Sequence, residues 1–196
     1  MRYRSRRRTA VCNSLRRPTI AAATRRRQRP FGDAGTTSPG GIRLTVESLT
    51  FRVNGVPQTV DAEPWAPLLD ALREGVGLTG TKEGCDVGLC GLCSVLLDDV
   101  LVSACLVPVA AAAGRDVTTV EGVAVDGALS PVQESFIAHG GFQCGICTPG
   151  QIVAATALLR ENVDPSDDEI RTWLGGNLCR CTGYQQIVEA VRGAAS

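Results

Sequence analysis

Eight cysteines fall into two sets of four, and no other feature of this chain restricts its fold as much. Cys85, Cys90 and Cys93 form a C-x4-C-x2-C run, and eleven residues separate it from Cys105. The second set is a C-x2-C pair, Cys144 and Cys147, and a C-x-C pair, Cys179 and Cys181, with thirty-one residues between them. Each set offers four thiolates, so the fold has to gather each into one place. Gly84, Gly88 and Gly91 lie among the first set. There the backbone can pass close to bound atoms and turn N–H groups on them, a path that side chains would obstruct. The second set precedes two expected helix starts, whose unpaired N–H groups and partial positive charge suit a negatively charged centre and favour its reduced form.

The first three cysteines match the plant-type 2Fe-2S spacing, in which a loop wraps one side of the cluster and a later cysteine closes it. Two other uses of thiols stand beside this one. Disulfides require an oxidising compartment, and no secretion signal is legible here. Zinc also takes four thiolates, but it favours two short C-x2-C pairs, so it fits the second set better than the first. From the residues alone, two separate four-cysteine centres are expected, one per domain.

Charge divides the chain unevenly. Among its 196 residues Lys plus Arg (20) equals Asp plus Glu (20), but residues 1–41 hold eleven Arg and one acid, Asp33. The two parts therefore carry about +10 and −10. The acidic body does not suit nucleic acid. Residues 1–41 show no apolar periodicity and are expected to be a disordered Arg-rich tail, with Cys12 a bystander thiol. A twin-arginine export signal needs an uninterrupted apolar region, which Arg16, Arg17 and Arg25–Arg27 prevent; an organelle transit peptide, a tail of other use and an upstream extension remain open. No apolar run reaches the roughly 18 residues of a membrane span, and the cytoplasm is the expected location.

From Ile42 the pattern becomes structured. Apolar residues alternate on both sides of Asn54-Gly55, a pair that favours the positive φ angles of a two-residue hairpin. A short helix is expected after Pro67, with Leu68, Leu69 and Leu72 on one face. Strands follow at Ser94 to Leu97, at Val100 to Ser103 and around Val117 to Val120. Residues 121–129 lack periodicity and read as a linker. Beyond it, a hydroxyl residue stands three places before Gln or Glu at Ser130, Thr148, Ser166 and Thr182, a capping-box pattern that predicts four short helices. The fold class expected is α+β, with domains at 42–120 and 130–196. Gly75-Val76-Gly77-Leu78-Thr79-Gly80 satisfies G-x-G-x-x-G, but it follows a helix and leads into a cysteine loop, so it does not read as a nucleotide site. His139 is expected to complement a helix end, and Trp65, Trp173 and Tyr184 to serve packing.

The runs Gly80-Thr81-Lys82-Glu83-Gly84-Cys85, Cys90-Gly91-Leu92-Cys93 and Ser103-Ala104-Cys105 belong to one resemblance. It continues through Phe142-Gln143-Cys144-Gly145-Ile146-Cys147-Thr148-Pro149-Gly150 and Gly176-Asn177-Leu178-Cys179-Arg180-Cys181-Thr182-Gly183-Tyr184. Together they resemble the small iron–sulfur subunit of molybdenum hydroxylases, the family of xanthine dehydrogenase, aldehyde oxidoreductases and carbon monoxide dehydrogenase. The match spans about 42–196. It implies an N-terminal β-grasp ferredoxin-like domain followed by an all-α four-helix domain. It implies that Cys85, Cys90, Cys93, Cys105, Cys144, Cys147, Cys179 and Cys181 hold two 2Fe-2S clusters. It also implies a large molybdopterin-binding subunit, where substrate is hydroxylated, and a medium FAD-binding subunit, with this chain relaying electrons one at a time between them. Gln143 and Cys181 are the residues the resemblance brings to the pterin. A free-standing ferredoxin and a zinc-bearing interaction module are the alternatives. Asp99 stands where the family has a hairpin Gly, Leu92 where it has a small residue, and the Arg-rich tail has no counterpart.

Overall fold

The computed structural model describes residues 45–124 and 126–195. The Arg-rich tail and Cys12 lie outside the described residues. The first hairpin forms where Asn54-Gly55 places it. Strands β1 (Glu47–Val53) and β2 (Val56–Ala62) pair antiparallel with Val53 opposite Val56, and the two turn residues have φ 52° and 79°. Phe51, Val53 and Val60 turn inward. A second hairpin joins β3 (Ser94–Leu97) to β4 (Val100–Ser103) through Asp98-Asp99, both at positive φ. Asp99 thus adopts the left-handed conformation that glycine would give at no steric cost. Strand β5 (Asp116–Thr118) sits between β1, to which it is parallel, and β3, giving the mixed order β2-β1-β5-β3-β4.

Helix α1 (Leu68–Asp70) covers the sheet, with Leu68, Leu69 and Leu72 almost fully buried. Its continuation, Ala71–Val76, is a π-turn that closes on Gly77 at φ 85°. The apolar triplet was legible in the sequence, but the widened turn was not. The stretch read as a linker opens with one further helical turn, α2 (Val120–Val123), whose Val123 is buried.

Four helices follow: α3 (Pro131–Ala138), α4 (Thr148–Glu161), α5 (Asp167–Trp173) and α6 (Gln185–Ala195). Ser130 and Ser166 close full capping boxes with Gln133 and Glu169. Thr148 does not. Cys147 takes the cap position of α4 without a side-chain bond, and the Gln151 side chain points elsewhere. At α6 the Val188 N–H returns to Tyr184 O, and Thr182 Oγ1 instead accepts from the Tyr184 N–H. Phe136, Ile152, Val153, Ile170, Leu174, Ile187 and Val191 make one core and Leu68, Leu69, Leu72, Val95, Val109 and Val117 another. Strand β3 joins them. Its Val95 and Leu97 face the sheet-side core while Leu96 enters the helical one, and α4 packs directly on it. No helix among the described residues is long and apolar enough to cross a membrane.

Candidate metal centres

All eight grouped thiols are free. The fold sorts them by pairs. In the first set Cys85 meets Cys90 and Cys93 meets Cys105, and a weaker interaction between Cys90 and Cys93 links the pairs. In the second set Cys144 Sγ and Cys181 Sγ lie 3.5 Å apart, and Cys147 meets Cys179. Cys144 and Cys147 each also sense Cys179. Among the described residues no three Cys, His, Asp or Glu side chains are gathered tightly enough to hold one metal ion.

The loop Cys85–Cys90 provides the backbone donors that its glycines predict. The N–H groups of Leu89 and Cys90 reach Cys85 Sγ at 3.3 and 3.4 Å. The Val87 N–H, then the Cys90 thiol, draw the Cys85 thiol down to about 7. Donors aimed at sulfur stabilise its anionic form, as an iron–sulfur site requires. The deeper partner behaves in the opposite way, since burial pushes Cys93 up to about 11. Beside this loop Asp70 is raised by burial first and then by the negative charges of Asp86 and Glu74, which makes this margin acidic.

The second set is divided into an outer and an inner pair. Cys144 and Cys181 are exposed, and Cys147 is buried. The Ile146 N–H lowers Cys144, whereas contact with Cys144 raises Cys181. Cys179 is raised by burial but lowered overall by the Thr182 hydroxyl, 3.1 Å from its sulfur, and by nearby backbone N–H groups. The start of α4 does not lower Cys147; burial, then contact with Cys179, pushes it up to about 12. At this free thiol the loss of water outweighs the neighbouring backbone N–H. Gln143 is exposed beside Cys144. Phe142, Ile146 and Leu178 add exposed apolar surface around the outer pair, as Val87, Leu89 and Leu106 do around the first set.

The two sets meet in the interior. Leu178 N–H donates to Cys90 O at 2.8 Å, and Asn177 Nδ2 donates to Gly91 O at 2.8 Å and Ser94 Oγ at 3.0 Å. Asn177 O accepts from Gln151 Nε2 at 2.6 Å and from the Tyr184 hydroxyl at 3.0 Å; that hydroxyl accepts from the Cys179 N–H at 2.9 Å. Sequence reasoning gave Gln151 a capping role and Tyr184 a packing role and did not single out Asn177, because the bonds of Gln151 and Asn177 run to segments far along the chain, whereas those of Tyr184 close locally on Asn177 and Cys179. The one available signal was a pair of polar residues close to cysteines in glycine-rich context. His139, by contrast, is where it was expected, its Nδ1 3.0 Å from Ser135 O at the end of α3.

Comparison with known proteins follows this division. A family described as a 2Fe-2S iron-sulfur cluster binding domain matches residues 51–118, and one described as a [2Fe-2S] binding domain matches 119–192. The xanthine dehydrogenase iron-sulfur-binding subunit of Escherichia coli O157:H7 is 48% identical over 149 residues, 74% of this chain and 93% of that protein. The aldehyde oxidoreductase of Megalodesulfovibrio gigas is 47% identical over 147 residues, but the match spans only 16% of that protein. The structure of quinoline 2-oxidoreductase from Pseudomonas putida 86 superimposes with a TM-score of 0.74 at 43% identity, covering 76% of this chain and 94% of that one. With two cluster-binding domains in tandem and near full-length matches to such subunits, the chain belongs to the 2Fe-2S iron–sulfur subunits of the molybdenum hydroxylase family.

Proposed function

We propose that the chain is the electron-transfer subunit of a molybdenum hydroxylase, passing electrons one at a time from the molybdopterin centre of a large subunit to FAD on a medium subunit. The observation that carries this is the arrangement of eight free thiols as two sets of two close pairs. A bridged di-iron centre takes two cysteines at each iron, whereas a structural zinc takes four donors around one point. On this reading Cys85, Cys90, Cys93 and Cys105 hold one 2Fe-2S cluster and Cys144, Cys147, Cys179 and Cys181 the other. Such a cluster, when bound, accepts and releases a single electron without moving atoms.

The chain's own residues do the remaining work. Backbone N–H groups of the 85–90 loop donate to sulfur, and buried Cys90, Cys93 and Cys147 keep water from the inner side of each set. The exposed pair Cys144 and Cys181, with Gln143 beside it, forms the edge that would approach the pterin, Gln143 by its side-chain amide. The finer architecture proposed is a β-grasp domain at 42–120, a linker at 121–129 and a four-helix domain at 130–196, in the cytoplasm, behind an Arg-rich tail at 1–41.

Anaerobic purification tests the whole reading. The protein should be brown, carry about four iron atoms and four acid-labile sulfides per chain, and give two distinct paramagnetic signals on reduction. It should also co-purify with a much larger molybdenum-containing chain. A colourless protein with zinc would establish the interaction module instead, and a brown protein without partners the free-standing ferredoxin.

A further inference from the structure

We propose that Asn177 is a positioning residue that holds the two thiol sets at one fixed separation and thereby sets the rate of single-electron exchange between them. This rests on the reading that the eight cysteines hold two clusters. Asn177 is only 4% exposed; its side-chain Nδ2 turns to the Gly91–Ser94 segment of the first thiol set, and its backbone carbonyl to Gln151 and Tyr184 beside the second. Its Nδ2 grips Gly91 O and Ser94 Oγ, the residues next to Cys90 and Cys93. Its carbonyl is gripped by Gln151 of α4 and by Tyr184, which also takes the Cys179 N–H. The next residue, Leu178, donates its N–H to Cys90 O and is bonded through its own carbonyl to Cys179. Between Cys90 and Cys179 the route is therefore covalent throughout except for one hydrogen bond.

The surroundings leave this joint little freedom. A Cβ at Gly91 would come within 2.3 Å of Gly176 O, and one at Gly150 within 2.3 Å of Gly91 O, so three backbone segments already touch. Ser94 Oγ donates to Gly91 O at 2.8 Å while accepting from Asn177, which closes a small buried ring of polar contacts. Losing the Asn177 amide leaves Gly91 O with one donor fewer and frees the Asn177–Leu178 backbone to shift against Cys90. The exchange itself moves one electron from the reduced centre to the oxidised one, with no bond made or broken.

The test uses Asn177→Ala, Ser94→Ala and Tyr184→Phe in the full-length chain, purified with the subunits that accompany it. Iron and sulfide content and the two paramagnetic signals establish that both centres are present, which is the reading the proposal rests on. The proposal is then read from the magnetic splitting between the two reduced centres and from freeze-quench rates of exchange between them. Asn177→Ala should keep both signals, weaken the splitting and slow exchange by more than Ser94→Ala does. Ser94→Ala, which loses the hydroxyl bond to Gly91 O but keeps the one from Asn177 Nδ2, should change the rate by less than about threefold. Unchanged splitting and rate in Asn177→Ala, with both centres present, overturns the assignment. Where Asn177→Ala loses a centre, Tyr184→Phe decides: slowed exchange supports the assignment and unaltered exchange overturns it.

Discussion

The first thiol set is carried largely by one short loop, whereas the second is assembled from two helix approaches thirty-one residues apart. Their C-x2-C pairs make the contrast concrete. Gly91 lies between Cys90 and Cys93 at φ 66°, and Gly145 between Cys144 and Cys147 at φ 83°. Gly91 is wedged against the Gly176 backbone, while a Cβ at Gly145 would meet nothing within 4 Å. The first set is locked from outside by the helical half; the second stays open at its edge, where Cys144 and Cys181 are exposed. The two sets of thiols are thus gathered by different means, a contiguous loop clamped from outside in one case and two distant helix approaches, open at their outer edge, in the other.

The strongest way to break this comparison is to remove one thiol from each set. Cys105→Ser and Cys179→Ser should each abolish one of the two paramagnetic signals and about half of the bound iron. Their effects on the fold should differ. The sheet keeps its own buried core around Leu68, Val95 and Val117, so Cys105→Ser should leave most of the thermal midpoint intact. Cys105 and Cys179 each pack against their own core, but losing the second centre unties residues 148–178 from their two anchors, so helical circular dichroism should fall first. Equal losses in the two variants would remove the distinction between a set held on one loop and a set held between two distant approaches.

A smaller effect sharpens the same point. Gly91→Ala adds left-handed backbone strain to a collision with a backbone oxygen that cannot step aside, on the order of 3 kcal/mol in all. Gly145→Ala adds the strain alone, about 1 kcal/mol. Urea unfolding of the two variants measures the difference, and a Gly145→Ala cost matching that of Gly91→Ala would show that the second loop is as tightly enclosed as the first. Below these lies the capping box of α5, where Ser166→Ala should cost about 1 kcal/mol.

The sequence exposed the elements whose cause is local. Asn54-Gly55 announced the first hairpin, and the β3 and β4 limits follow from apolar runs on either side of Asp98-Asp99. Ser130 and Ser166 were legible as caps because each satisfies an N–H three residues on. Thr148 has the same spacing to Gln151, yet Gln151 is 0% exposed and bonded to Asn177, a partner twenty-six positions away. The same holds for the candidate site. Cysteine spacing named the thiols, but their pairing, the exposure of Cys144 and Cys181 and the Asn177 joint depend on contacts between segments that no local pattern encodes.

The smallest expected effect is a pH dependence that again treats the two halves separately. Asp98, in the β3–β4 turn, is held below the usual carboxylate range by its hydrogen bond from Arg115 and then by the Asp116 N–H. Glu169, in the α5 capping box, is held low by the Ser166 hydroxyl and the Ser166 N–H. A carboxylate with a depressed folded value contributes stability that is complete above its ordinary titration range and is lost as pH falls through the folded value. Asp98→Asn and Glu169→Gln should therefore be less stable than the parent at pH 7, and each deficit should shrink as the medium is taken to about pH 3. Trp65 stands on the sheet side and Trp173, bonded through Nε1 to Ala154 O, in the helical half, so removing one tryptophan leaves the other as a reporter of its own region. Unfolding followed through Trp173 should register Glu169→Gln more than Asp98→Asn, and through Trp65 the reverse. A deficit that grows towards acid would mean that the carboxylate is repelled rather than held in the folded chain.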